Sequence, residues 1–215
     1  METVLLIGLG RFGRHMAAKL IEEGNKVLAI DISEERANNC VNLIPNIQIA
    51  DATKEGVIAS LGVDNFDICV VAIGDDFETA LVTTVLLKDY GAKYIVARAR
   101  RDVHKKLLLR NGADYVVYAE KDVAERLAIT LGDKKIFDFV KLNDAYGIYE
   151  IATPASWIGR TIVDVDVRRR HNVNILASVN GEDMKPNIDP SYIFNNSERL
   201  LVLGSIADIR KLTRG

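Results

Sequence analysis

The chain has 215 residues, 48% of them apolar, enough to bury a core for one large domain or for one medium and one small domain. Its 30 acidic and 28 basic residues leave a formal net charge of −2, which argues against a general nucleic-acid binder, whose domain is usually strongly basic. The first apolar run, residues 4–7, is far short of the roughly 20 residues of a membrane span, and no signal peptide is visible, so a cytoplasmic protein is expected.

The opening stretch carries the strongest local pattern. Thr3-Val4-Leu5-Leu6-Ile7 is followed at once by Gly8-Leu9-Gly10-Arg11-Phe12-Gly13, then by Met16, Ala17, Leu20 and Ile21 at helical spacing. This reads as strand, tight turn and helix, with the G-x-G-x-x-G pattern at the turn. Gly8 permits the turn, Gly10 lets a phosphate approach the backbone, and Gly13 lets the helix sit close on the strand; the helix N-terminus then faces the anion. A second strand, Lys26-Val27-Leu28-Ala29-Ile30, ends in Asp31, eighteen residues beyond Gly13. An acidic residue at about that distance grips a ribose hydroxyl and repels a 2′-phosphate, which favours NAD, NADH, ATP, ADP or AMP over NADP. The alternative is that Asp31 caps the next helix, a role for which Ser33 competes. Arg11 opposes the helix dipole by roughly 0.3–1 kcal/mol, so either a bound phosphate offsets it or the side chain is solvated.

The strand and helix alternation then continues. Helices are expected near residues 33–43, 55–61, 77–90 and 103–111, and strands near 47–50, 68–74, 94–97 and 115–118. Near-continuous apolar strands of this kind form a parallel, doubly wound sheet covered on both faces, an α/β Rossmann-like fold. Ligands bind such sheets at the carboxyl ends of the strands, where Asp51, Ala52, Ile73, Gly74 and Arg98 fall beside the glycine turn. Asp51 either contacts base or ribose or caps the following helix, and Arg98 either reaches phosphate or pairs with a carboxylate. After a helix at 119–131 the pattern changes to alternation at 137–142 and 148–151, as in half-buried antiparallel strands. The expected division is therefore a nucleotide-binding domain at 1–135 and a small α+β lobe at 136–215. That lobe should hold a helix at 162–169, strands at 174–179 and 200–203, a turn at Asn180-Gly181-Glu182-Asp183 between short strands, and a closing helix at 207–212.

Catalytic patterns are missing. His15, His104 and His171 have no carboxylate partner at an informative spacing and read as solvated or capping residues. No Ser/His/Asp set, metal-type His/Cys cluster or lysine-bearing P-loop appears, so no catalytic residue is expected and the chain reads as a non-enzyme. Cys40, expected in a helix, and Cys69, expected in a buried strand, read as apolar packing in a reducing compartment. Arg168-Arg169-Arg170-His171 is the one basic cluster, read either as a solvated helix end or as a seat for a small anion over Ile162, Val163 and Val167.

Taken together, the 7–13 turn, 27–31, Asp51-Ala52-Thr53, Val71-Ala72-Ile73-Gly74, Gly112-Ala113-Asp114, Glu120-Lys121-Asp122, Trp157-Ile158-Gly159-Arg160 and 199–204 resemble the RCK (regulator of potassium conductance) domain. The likeness is greatest to the cytosolic KtrA/TrkA subunits of bacterial potassium uptake systems and covers nearly the whole chain. The resemblance implies a regulatory subunit that gates a potassium transporter or channel, with ATP and ADP changing the shape of a ring. It implies a homodimer assembling into an octameric ring beneath a membrane-embedded partner of the KtrB/TrkH kind, at the inner face of the membrane; no nucleic-acid partner is expected from the charge balance. Carried over by position, Gly8, Gly10, Arg11, Phe12 and Gly13 would meet phosphate, with Arg11 on the terminal phosphate from a neighbouring subunit. Asp31 would hold ribose, and Asp51 with Ala52 the adenosine part. Glu120 resembles a position where some members bind a cation, divalent or sodium, beside the nucleotide. In some relatives the second lobe binds cyclic di-AMP, which would place Ile162, Val163, Arg168, Arg169, Asn174 and Pro186 near that ligand. NAD(H) is the other cofactor considered, and the rival readings are an NAD-dependent oxidoreductase and an NADH-sensing regulator.

Overall fold

A computed structural model describes residues 1–186 and 188–214, which form two compact units that divide after Glu120. In the first unit six strands alternate with helices in chain order: β1 (Thr3–Ile7), α1 (Arg11–Glu22), β2 (Lys26–Asp31), α2 (Glu34–Asn38), β3 (Asn46–Ile49), α3 (Glu55–Leu61), β4 (Ile68–Val71), α4 (Phe77–Asp89), β5 (Ile95–Arg98), α5 (Asp102–Arg110) and β6 (Tyr115–Val117). The strands are parallel throughout, in the order β3-β2-β1-β4-β5-β6. This is the doubly wound order, with its switch point between β1 and β4.

The apolar strand runs are continuous because both faces of the sheet are covered. Leu5 and Ile7 of β1, with Cys69 and Val71 of β4, enter one core together with Ile58, Leu87 and Leu108. Their neighbours Val4, Leu6 and Val70 enter a second core under Ala17 of α1, with Cys40 and Ile44. The two-residue period of a strand assigns alternate side chains to the two layers. Both cysteines are free and buried, as expected of packing residues, although Cys40 lies just beyond α2, which stops at Asn38. Burial pushes the Cys69 thiol up to about 12.

After α6 (Ala119–Gly132) the second unit carries β7 (Ile136–Lys141), β8 (Tyr146–Ala152), α7 (Ile162–Val165), α8 (Val167–His171), β9 (Asn174–Asn180), β10 (Asp183–Pro186), β11 (Arg199–Ser205) and α9 (Ile206–Arg214). Its antiparallel sheet runs β10-β9-β11-β8-β7. Inward residues of β8 and β11, among them Tyr149, Ile151, Leu200 and Val202, pack with Trp157, Phe194 and Ile209 of α9. The Asn180-Gly181-Glu182-Asp183 turn joins β9 to β10, with Gly181 at φ +62°. The helix expected at 162–169 is two short helices instead, because Asp166 adopts a left-handed conformation, φ +52°, after the Thr161–Asp164 capping box. The division also falls 15 residues before the expected one at 135/136: the core beneath β7 already recruits Ile129 of α6.

Candidate functional site

The glycine turn is built by two steric requirements. Gly8 sits at φ +104°, a region that side chains disfavour. At Gly13 a Cβ would lie 1.9 Å from the Gly8 carbonyl oxygen, so α1 approaches β1 more closely than any other residue allows. Gly10 caps α1 without a side-chain bond, and a Cβ there would meet nothing within 4 Å. The first turn of α1 holds no acidic residue, and Arg11 on it is exposed.

Asp31 fixes the opposite wall. It is 4% exposed, its Oδ2 accepts from the Leu9 N–H at 2.6 Å, and its Oδ1 accepts from the Ser33 N–H at 2.8 Å. The carboxylate therefore ties the end of β2 to the glycine turn, while Ser33 takes the capping role by accepting from Arg36 N–H. Arg36, a residue the sequence reading did not single out, brings its guanidinium to 3.8 Å from Asp31. Its position one turn into the helix after β2 was the available signal.

These groups face a cavity of about 720 Å³ at the switch point, between the carboxyl ends of β1 and β4. Gly8, Gly10, Arg11, Phe12, Asp31, Asp51, Ala52, Ile73, Gly74, Arg98 and Glu120 all line it; Gly13 lies beneath, at the contact of α1 with β1. The lining further includes Ile32, Thr53, Asp75, Asp76, Thr79 and Arg100, none of them singled out from sequence as site residues. Asp76 caps α4 through Thr79, and this Asp-x-x-Thr pattern was the visible trace.

Asp51 and Arg98, each with two sequence readings, make defined local contacts. Asp51 accepts from both the N–H and the hydroxyl of Thr53, which hold its carboxyl below the usual carboxylate range. One of its oxygens thus shapes the approach to α3, while the side chain still faces the cavity. Arg98 donates to Glu120, and its guanidinium lies 5.3 Å from the Phe12 ring centroid. Among the described residues no cluster of three or more His, Cys, Asp or Glu side chains surrounds Glu120 or any other point. Arg100 pairs with Asp75 at 2.9 Å on the exposed rim.

The histidines are placed differently from expectation in two cases. His104 stacks on Phe77 with ring centroids 3.9 Å apart, and His171 leans on Trp157 at 5.1 Å. Burial lowers the pKa of both, helped at His104 by Arg101 and at His171 by Arg170 and Arg160. They are packing rings rather than solvated or capping groups, and His15 is exposed on α1.

Within the second unit a smaller cavity, about 480 Å³, is lined by Tyr146, Arg168, Asn172, Val173, Asn174, Leu203, Gly204 and Asp208. Of the six residues considered for a second ligand, Arg168 and Asn174 reach it, whereas Ile162, Val163, Arg169 and Pro186 do not line it. The Oδ1 atom of Asn174 is buried there with no hydrogen-bond partner. Among the described residues no helix is long and apolar enough to cross a membrane.

Comparison with known proteins agrees with both units. Residues 4–119 match the TrkA-N domain and residues 147–214 the TrkA-C domain. The chain is 34% identical to Ktr system potassium uptake protein C of Bacillus subtilis over 97% of its length and 95% of that protein's. It is also 34% identical to the Ktr system potassium uptake protein A of the same organism, covering 96% and 93%. Among solved structures the GsuK channel superposes with a TM-score of 0.71 at 15% identity, over 99% of this chain. This chain spans 39% of that one, and the likeness is one of fold. The AMP-bound C-terminal domain of Kef from Shewanella denitrificans gives a TM-score of 0.51 at 26% identity, over 60% of this chain and 79% of that one. With a doubly wound TrkA-N unit, a TrkA-C unit and full-length relatives in Ktr systems, the chain belongs to the RCK family, among the KtrA/TrkA-type potassium uptake proteins.

Proposed function

We propose that this chain is a non-enzymatic regulatory subunit of a potassium uptake system, gated by an adenine nucleotide in the cavity of the first unit. The observation that carries the reading is the convergence of the glycine turn, buried Asp31 and the cations Arg11, Arg98 and Arg100 on one cavity at the switch point. A free first turn of α1 and the guanidinium groups suit phosphates, Asp31 suits a ribose, and exposed Ile32 beside it suits the base. The AMP in the Kef relative supports the same class of ligand. The relatives' place in Ktr systems supports a membrane-embedded transporter as partner, with this subunit on the cytoplasmic side in a homo-oligomeric ring.

ATP and ADP share most contacts, so only a group that senses the terminal phosphate separates them. Arg11, exposed at the mouth of the cavity, is that group, either within one protomer or across to a neighbouring one. A nucleotide moves the equilibrium between two ring shapes only by its differential affinity for them. Replacement Arg11→Ala is therefore expected to reduce ATP affinity by roughly tenfold, about one charge-assisted contact, while ADP affinity stays nearly intact. Calorimetry with both nucleotides, alongside light scattering for particle mass, measures this; equal loss of both ligands would remove Arg11 from the gating role, and a monomer in every state would remove the ring.

A further inference from the structure

Arg98 closes β5 on the floor of the nucleotide cavity. A Cβ on Gly74 would fall 2.7 Å from its Nη1, so the guanidinium lies across bare backbone, with the Phe12 ring 5.3 Å away. Its side chain is 18% exposed, and its Nε is buried without a hydrogen-bond partner. Its Nη2 donates to Oε1 of Glu120, which stands 51% exposed on the first turn of α6. A guanidinium offers five N–H donors in a rigid fork, more than the single carboxylate oxygen bonded here can satisfy. Arg98 lines a cavity that opens beside a glycine turn, and a guanidinium there with a buried unmet donor and a single carboxylate partner fits an anion with several oxygens.

We propose that Arg98 is a phosphate-reading residue of this cavity and that Glu120 is its resident counter-ion, which a nucleotide phosphate displaces. The inference rests on the nucleotide reading of the same cavity and joins the two roles left open for Arg98 into successive states of one device. Burial works against ionisation of Glu120, but its own backbone N–H and Arg98 outweigh that and hold the carboxyl below the usual range, so the competitor is charged at neutral pH. Arg100, the neighbouring cation of the lining, pairs with Asp75 on the exposed rim and adds its field at Glu120. Glu120 thereby sets a threshold: ligands carrying phosphate must break the pair, whereas a ligand without phosphate leaves it intact.

The test is calorimetric titration of wild type, Glu120→Gln, Arg98→Gln and the double variant with ADP and with adenosine. A chelator is included so that no divalent cation bridges phosphate and carboxylate. Glu120→Gln is expected to bind ADP about two- to fivefold more tightly, the upper part of the range that one partly exposed ion pair converts to. Adenosine affinity should change by less than about twofold, which a general loosening of the site would not produce. Arg98→Gln should weaken ADP, and in its background most of the gain from Glu120→Gln should vanish. ADP binding that is unchanged or weaker in Glu120→Gln, an equal gain for adenosine, or the full gain without Arg98 would overturn the counter-ion role. Wild type that binds neither ADP nor adenosine would instead overturn the nucleotide reading itself, whereas ADP binding indifferent to Glu120 overturns the counter-ion role alone.

Discussion

In the first unit every strand runs the same way, so the carboxyl ends of β1, β2, β4 and β5 open onto one cavity. In the second unit the strands are antiparallel, and successive connections leave from opposite ends of the sheet. The consequence for site residues is direct. Eleven of the twelve residues expected around the nucleotide line the first cavity, although they are spread from Gly8 to Glu120. Only Arg168 and Asn174 of the six expected around a second ligand line a common cavity, although all six lie between 162 and 186. A parallel topology gathers distant residues by rule; an antiparallel lobe does so only through the details of its turns.

That contrast is open to direct perturbation. The largest effects should come from paired substitutions in the two units. Trp157→Ala empties the centre of the second core and should cost about 3–5 kcal/mol, while Gly13→Ala drives a Cβ into the Gly8 carbonyl and should cost roughly 3 kcal/mol. Thermal melts with and without ADP separate the two: Trp157→Ala is expected to keep most of the ADP-induced stabilisation, because its core shares no residue with those of the first unit, and Gly13→Ala to lose it. Loss of ADP stabilisation in both would mean that the cavity is not a property of the first unit alone.

A smaller effect sharpens the picture of the second unit. Burial against Trp157, with Arg170 and Arg160 nearby, lowers the pKa of His171 below its ordinary 6.5. The folded state then binds fewer protons than the unfolded chain, so the neutral ring's stabilisation is complete above pH 6.5 and declines as pH falls below it. The melting temperature of the second unit should fall as pH drops below 6.5, and His171→Gln should flatten that part of the profile. An unchanged slope in the variant would assign the acid sensitivity to other groups.

The sequence disclosed the first unit almost completely because its signals are local and periodic. Four or five apolar residues in a row mark a strand covered on both faces, and glycines mark the places where backbone approaches backbone. Arg36, Asp75 and Arg100 escaped notice because they reach the cavity from helix starts and loops that carry no such period. The break between α7 and α8 escaped it too: Asp166 in a left-handed conformation has no periodic signature, and the apolar residues on either side of it continue a helical stripe. His104 and His171 were read as polar surface because their partners, Phe77 and Trp157, lie 27 and 14 residues away and only the fold brings them together.

The first measurement to make is a titration of the purified protein with ATP, ADP, NAD and NADH by calorimetry, with NADP as the ligand that Asp31 should exclude. Adenine nucleotides with a free ribose should bind at one site per chain, ATP and ADP more tightly than NAD or NADH, and NADP weakest of all. Failure of every one of them to bind would contradict a nucleotide role for the cavity, and binding confined to NADH would replace ATP and ADP control with redox sensing.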